Sequence, residues 1–151
     1  MNFIRSLLST DSIHRDLGLL VVRLGVGLSM FVFHGWGKIT AGPELWARIG
    51  NSMQTLGVTF LPAMWGFFAA FAESFCSILL ILGILFRPAA ALLAFTMLVA
   101  TTRHLGLPAG EPGAGWNGAS HALELLSVYV GLLLAGSGRF ALIRSPRPAV
   151  D

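Results

Sequence analysis

Residues 61–86 read LPAMWGFFAAFAESFCSILLILGILF, an apolar run that holds a single charged side chain, Glu73. Roughly 20 consecutive apolar residues span the hydrocarbon of a bilayer as a helix, so this stretch predicts a transmembrane helix. Working outward, a second such run covers Leu17 to Trp36 and is interrupted by Arg23. A third follows Arg87, from Pro88 to Thr102, and a fourth extends from Ala119 to Ala135 with Glu124 in its first turns. The last two reach spanning length only with their flanking Thr, His and Gly residues, which makes three spans the competing reading. The pattern predicts an all-α integral membrane protein, a four-helix bundle over residues 17–142. It is preceded by an interfacial arm (1–16) and followed by a short tail (143–151).

Composition agrees. Hydrophobic residues make up 55% of the 151-residue chain and charged residues 11%. A soluble domain carries about 25% charged residues to cover its surface. The lipid bilayer is therefore the expected partner of the apolar surface. The net charge of +3 comes from scattered basic residues, and no dense patch or recognised motif points to nucleic acid. The opening MNFIRSLLSTDSIHRD has charges where a signal peptide needs an apolar stretch, so no cleavable leader is expected. The lone Cys76 excludes an internal disulfide and, lying in an apolar run, reads as a buried, inert side chain.

The positive-inside rule orients the bundle. With the N-terminus in the cytoplasm, Arg5, Arg15, Arg87, Arg139, Arg144 and Arg147 fall inside, while Lys38, Arg48 and Arg103 fall outside. Both termini are expected to be cytoplasmic. Two short amphipathic segments accompany the spans. One is built on Phe3, Ile4, Leu7 and Leu8, the other on Leu45, Trp46, Ile49, Met53 and Leu56 after Gly42-Pro43-Glu44. Pro43 suits a first helical turn and Glu44 its positive dipole end. Such a helix either lies flat at the headgroups or folds as a cap over the outer mouth.

Charges inside a membrane call for a partner or a task. Arg23 lies 11 residues below His34 and Glu73 lies 12 below Leu61, about 16–18 Å down at about 1.5 Å per residue. Matched depth on antiparallel helices predicts an Arg23–Glu73 salt bridge. It serves either helix register or, with these two as catalytic residues, proton relay and ligand orientation. A second polar group gathers at the outer helix ends. His34, Lys38, His121 and Glu124, with Trp36, Trp65, Phe67 and Phe68 as aromatic walls or, for Trp65 above all, part of an interface belt, suit a quinone headgroup, whose carbonyls want donors and whose ring wants apolar walls. A less specific alternative is metal or haem ligation by His34, His104, His121 and Glu124, resting on the weak HxxE spacing at 121–124.

The order R-x-G-x-G at 23–27, FHGWGKI at 33–39, AAFAES at 69–74, ILGILFRPAA at 81–90 and LLLAGSGRFAL at 132–142 resembles the DoxX family. The resemblance covers 17–142, and the residues it carries over are Arg23, His34, Gly35, Lys38, Glu73 and Arg87. The terminal motif departs from the usual GPGxYSLD in having Ser137 for proline and no closing Asp. The resemblance implies a four-helix protein of the bacterial inner membrane, associated with redox chemistry. It further implies a quinone or similar lipophilic redox molecule as cofactor, with a redox partner protein. A homodimer through Gly- and Ala-rich faces is a further expectation. Whether the chain is itself a quinone-linked oxidoreductase subunit is left open. The rival readings are a non-catalytic scaffold or assembly factor for a redox enzyme, and a small-molecule or proton permease.

Overall fold

The computed structural model describes residues 13–143; the arm built on Phe3, Ile4, Leu7 and Leu8 lies outside them. Among the described residues four helices are long and apolar enough to cross a membrane: α1 (Arg15–Thr40), α3 (Pro62–Leu82), α4 (Phe86–Gly106) and α5 (Gly115–Ala135). The last three have 21 residues each, about 31 Å at 1.5 Å per residue, so the third and fourth apolar runs do reach spanning length. They gain it from Phe86-Arg87 and Arg103–Gly106 in α4, and from Gly115–Gly118 in α5. No strand occurs among the described residues, as expected for an all-α bundle.

The fifth helix, α2 (Pro43–Gly50), continues as a tighter turn over Asn51–Leu56. Pro43 opens it and Glu44 stands in its first turn, as the sequence predicts. Of its two expected placements, the cap is the one observed. A Cβ on Gly50 would run into the Pro62 carbonyl, and one on Gly66 into the Trp46 carbonyl, so the two glycines let α2 lie directly on α3. Trp46 stacks edge-on against Phe67 at 5.1 Å, and Thr55 joins Thr102 of α4 through a 3.0 Å hydroxyl contact. We call this the distal end of the bundle and the end bearing residues 13 and 143 the proximal end.

Small side chains draw α4 and α5 together. Ala89, Ala90, Ala94, Ala119 and Ala122 are all buried, and their size allows close helix approach where the hydrophobic effect supplies no drive. Met30, Cys76, Leu80, Leu93, Met97, Tyr129 and Leu132 complete the core. The distal half of α3, Pro62–Phe71, packs on α2 and not substantially on α4, so the distal part of the bundle is splayed.

α1 and α3 each contain one widened turn, at Phe31–Gly35 and at Ala72–Cys76. The two turns face each other, and a Cβ on Gly35 would overlap the Glu73 carbonyl. Widened turns leave carbonyls without their usual donors, and such groups must be satisfied inside a membrane. The Ser74 hydroxyl donates to Ala70 O (2.6 Å) and the Ser77 hydroxyl to Glu73 O (2.8 Å).

Candidate functional site

The expected Arg23–Glu73 salt bridge is not formed. α1 continues past His34 to Thr40, which places Arg23 17 residues below the distal end of its helix. Glu73 lies 11 residues below Pro62. α1 extends six residues, about 9 Å of helix, beyond His34, and this accounts for the mismatch in depth.

Arg23 instead closes the proximal end. Its Nε donates to Leu80 O at 3.0 Å and Nη2 to Ile81 O at 2.6 Å, both in the last turn of α3. Nη1 donates to Ser137 O at 2.6 Å and Phe140 O at 3.0 Å. The negative end of the α3 dipole favours a cation there. The Phe86 ring lies 5.6 Å below the guanidinium carbon, and the residue is fully buried. Gly138 takes a positive φ of 70°, which turns the chain after α5 back under the bundle. Leu142 N–H then donates to Leu82 O, and the Arg139 N–H to Asp16 Oδ1. Residues 136–142 thus wrap the Arg23 head.

Glu73 is paired at the distal level by Lys38, whose Nζ lies 2.5 Å from Glu73 Oε2. The facing widened turns produce this meeting by bringing Gly35 against the Glu73 backbone, one turn from Lys38. Glu73 is 4% exposed at its side chain and Lys38 30%, so the carboxylate is buried while the ammonium reaches outward. The Lys38 carbonyl accepts from Trp46 Nε1 at 2.8 Å, which ties the pair to the cap.

Above this pair lies a cavity of about 560 Å³, roofed by α2 and walled by α3 and α4. Leu45, Ile49, Met53, Trp65, Phe68, Leu92, Phe95 and Val99 form apolar walls. Lys38, Glu73, Arg48, Arg103, His104 and Ser52 supply the polar groups. Among the last six, Lys38 and Glu73 meet at the floor. Trp65 Nε1 is buried and donates to nothing. Phe68 is 48% exposed, and Leu92 and Phe95 each 43%, so the splay between α3 and α4 opens the cavity sideways toward lipid.

The other residues singled out by sequence fall elsewhere. The His34 and His121 rings stack at 5.6 Å between α1 and α5, and neither lines the cavity. Trp36 is 59% exposed and Glu124 is exposed on α5, so neither supplies a wall or a donor to it. The alternative metal or haem set is not assembled, and His104 contacts the Gly113 carbonyl through Nδ1 at 2.7 Å. Among the described residues no three His, Cys, Asp or Glu side chains converge. Conversely, Arg48, Ser52, Arg103 and Phe95 line the cavity without having been assigned to it by sequence. The available signal was the apolar spacing Leu45-Ile49-Met53, whose buried face is the cavity roof.

The DoxX family model matches residues 18–106, more than half of the chain, from α1 through α4. No curated protein and no solved structure matches.

Proposed function

The chain belongs to the DoxX family, and from that premise we propose that its distal cavity binds a quinone or a similar flat, lipophilic redox molecule in the bacterial inner membrane. The observation that carries this reading is the Lys38–Glu73 ion pair at the floor of a mostly apolar cavity of about 560 Å³. Small-molecule sites are commonly about 300–1,000 Å³, mostly apolar, with a few fixed polar groups. A buried ion pair is a poor stabiliser of a fold, since desolvation offsets its attraction, and a cavity above it has no packing purpose.

The residues divide the work. Lys38 donates toward a ring carbonyl, and Trp65 Nε1–H, unused in the protein, is a second donor at the wall. Glu73 holds Lys38 in place and is the acid–base group nearest the ring. Trp65 and Phe68 offer faces for a flat ring, and the lateral opening admits a hydrocarbon tail. A bound quinone supplies reversible two-electron, two-proton chemistry, and a redox partner enzyme is the source or acceptor of the electrons.

The test is gentle detergent purification followed by solvent extraction and mass spectrometry. Wild-type protein carries quinone; Glu73→Gln and Lys38→Met lose it while staying folded. His34→Ala, outside the cavity, keeps it. Equal quinone content in wild type and both cavity variants would sink the proposal, and a bare wild-type protein that still captures a redox enzyme would favour the scaffold reading.

A further inference from the structure

The proximal end holds a second cavity of about 1210 Å³, framed by the start of α1, the α3–α4 turn and the segment after α5. Arg15, Arg87 and Arg139 all line it, against a single carboxylate, Asp16. All three arginines are exposed, and among the described residues none forms an ion pair. Arg15 donates to the Ala135 carbonyl at 3.2 Å, and the Arg139 guanidinium carbon lies 5.5 Å from the Phe140 ring. Asp16 accepts from the Arg139 backbone N–H at 3.0 Å. A preference for basic residues on one side of a membrane explains arginines at this end, but not three of them around one cavity.

The backbone adds to the positive charge. α4 begins at Phe86 with no acidic residue in its first turn and no side-chain cap, and Arg87 stands in that turn. A cation is unfavourable at the positive end of a helix dipole, and the uncapped N–H groups there favour an anion. Arg87 has no part in the core or in the distal cavity.

The walls indicate which anion. Leu85 and Ile143 line the same cavity with 63% and 61% of their surfaces exposed. A small soluble anion gains nothing from exposed aliphatic side chains beside arginines. A phospholipid does, because its acyl chains begin where its headgroup ends. The volume exceeds the roughly 300–1,000 Å³ of most small-molecule sites. Its level agrees as well: the cavity lies at the ends of the spans α1, α4 and α5, where headgroups stand in either leaflet.

We propose that the proximal cavity binds the headgroup of an anionic phospholipid. Arg15, Arg87 and Arg139 hold its phosphodiester, and its acyl chains leave past Leu85 and Ile143. Guanidinium forks match phosphate oxygens two at a time. Three guanidinium groups against one carboxylate leave positive charge in excess of a single phosphodiester. A lipid of net negative charge, such as phosphatidylglycerol, is therefore preferred over zwitterionic phosphatidylcholine. The bound headgroup bridges α1, α4 and the segment that wraps Arg23, so binding stabilises the folded bundle. The inference is independent of the distal cavity and its ligand.

The test uses the full chain, stripped of lipid in a mild neutral detergent. It is titrated with phosphatidylglycerol, phosphatidylcholine or inorganic phosphate and read by native mass spectrometry and thermal melting. Phosphatidylglycerol saturates at one per chain and raises the melting temperature. Phosphatidylcholine, with the same phosphodiester and no net charge, binds about fivefold more weakly or worse, and inorganic phosphate does not displace the lipid. Arg87→Gln weakens phosphatidylglycerol binding about fivefold, and Arg87→Gln with Arg139→Gln about twenty-fivefold, the usual worth of basic residues near anionic lipid. Arg87→Lys with Arg139→Lys keeps the charge and loses the forks, so its affinity falls between those of wild type and the double glutamine variant. Without lipid the variants melt with wild type. Equal affinity for the two lipids, displacement by inorganic phosphate at matched concentration, or a double lysine or double glutamine variant that binds like wild type would each overturn the proposal.

Discussion

The proximal end of the bundle surrounds Arg23 with four backbone carbonyls and a phenyl ring, whereas the distal end gives Glu73 one cation and an adjoining cavity. Both residues are charged, buried and inside a span. At Arg23 four of the five guanidinium N–H groups are used and the side chain is fully buried. At Glu73 one carboxylate oxygen is used, and the partner Lys38 keeps two further N–H groups. A saturated charge secures a fold, and an unsaturated one beside a cavity is free to meet something else.

The largest effect is expected where saturation is complete. Arg23→Leu strips donors from the carbonyls of Leu80, Ile81, Ser137 and Phe140 together. Removing one side of a buried charged network costs about 3–5 kcal/mol, so denaturant titration in detergent micelles should show a correspondingly earlier transition. Arg23→Lys should not rescue it, because an ammonium has three donors at one point and cannot reach four carbonyls on two segments. Stability within about 1 kcal/mol of wild type for Arg23→Leu would break the comparison by removing the structural role from the proximal end.

Next in size is the contact between the two widened turns. Gly35→Ala places a methyl against the Glu73 carbonyl, with backbone on both sides and no flexible side chain to yield. Overpacking of this kind costs about 1–3 kcal/mol. Because the same displacement draws Lys38 away from Glu73, quinone content should fall with stability. A Gly35→Ala protein that is destabilised but fully loaded would show that the turn holds the helices and does not set the ion pair.

The distal pair sharpens the comparison from the other side. Exchanging Glu73 for Gln leaves only Lys38 unpaired, and because its side chain is 30% exposed the ammonium can turn outward, so the loss of stability should stay well below the roughly 3–5 kcal/mol of stranding a fully buried charge. The same exchange should empty the cavity. A thermal melt and a ligand extraction on one preparation read both quantities, and loss of fold with Glu73→Gln would make Glu73 structural as well.

The sequence made the two ends differently legible. The spans, the helix opening at Pro43 and the importance of Arg23 and Glu73 follow from local rules: apolar length, capping preference and the cost of intramembrane charge. The partners of those charges do not. Their assignment hinges on six residues of α1 beyond His34, where the apolar run ends at Trp36 but the helix continues through a widened turn to Thr40. Nor does sequence announce that carbonyls alone satisfy Arg23, since backbone acceptors carry no residue signature. The cavity was half visible. Trp65 and Phe68 read as possible walls, but its roof depended on α2 folding over the bundle, and that rests on the Gly50–Gly66 crossing between segments 16 residues apart.

The smallest effect separates the two polar groups at the distal end. Trp65→Phe keeps an aromatic wall and removes only the unused Nε1–H, while His34→Phe keeps an aromatic ring beside His121 and removes only the imidazole nitrogens, away from the cavity. If Trp65 donates to the ligand, its loss weakens binding by about fivefold, the worth of one neutral hydrogen bond near 1 kcal/mol. His34→Phe should leave ligand affinity unchanged. Titration of both variants with a short-chain quinone, read by quenching of tryptophan fluorescence against the matched background of each variant, measures the difference. The reverse order, with His34 controlling affinity and Trp65 silent, would move the site from the cavity under α2 to the α1–α5 side of Glu73. The contrast between a saturated Arg23 and an unsaturated Glu73 would survive, but the opening beside Glu73 would face the other way.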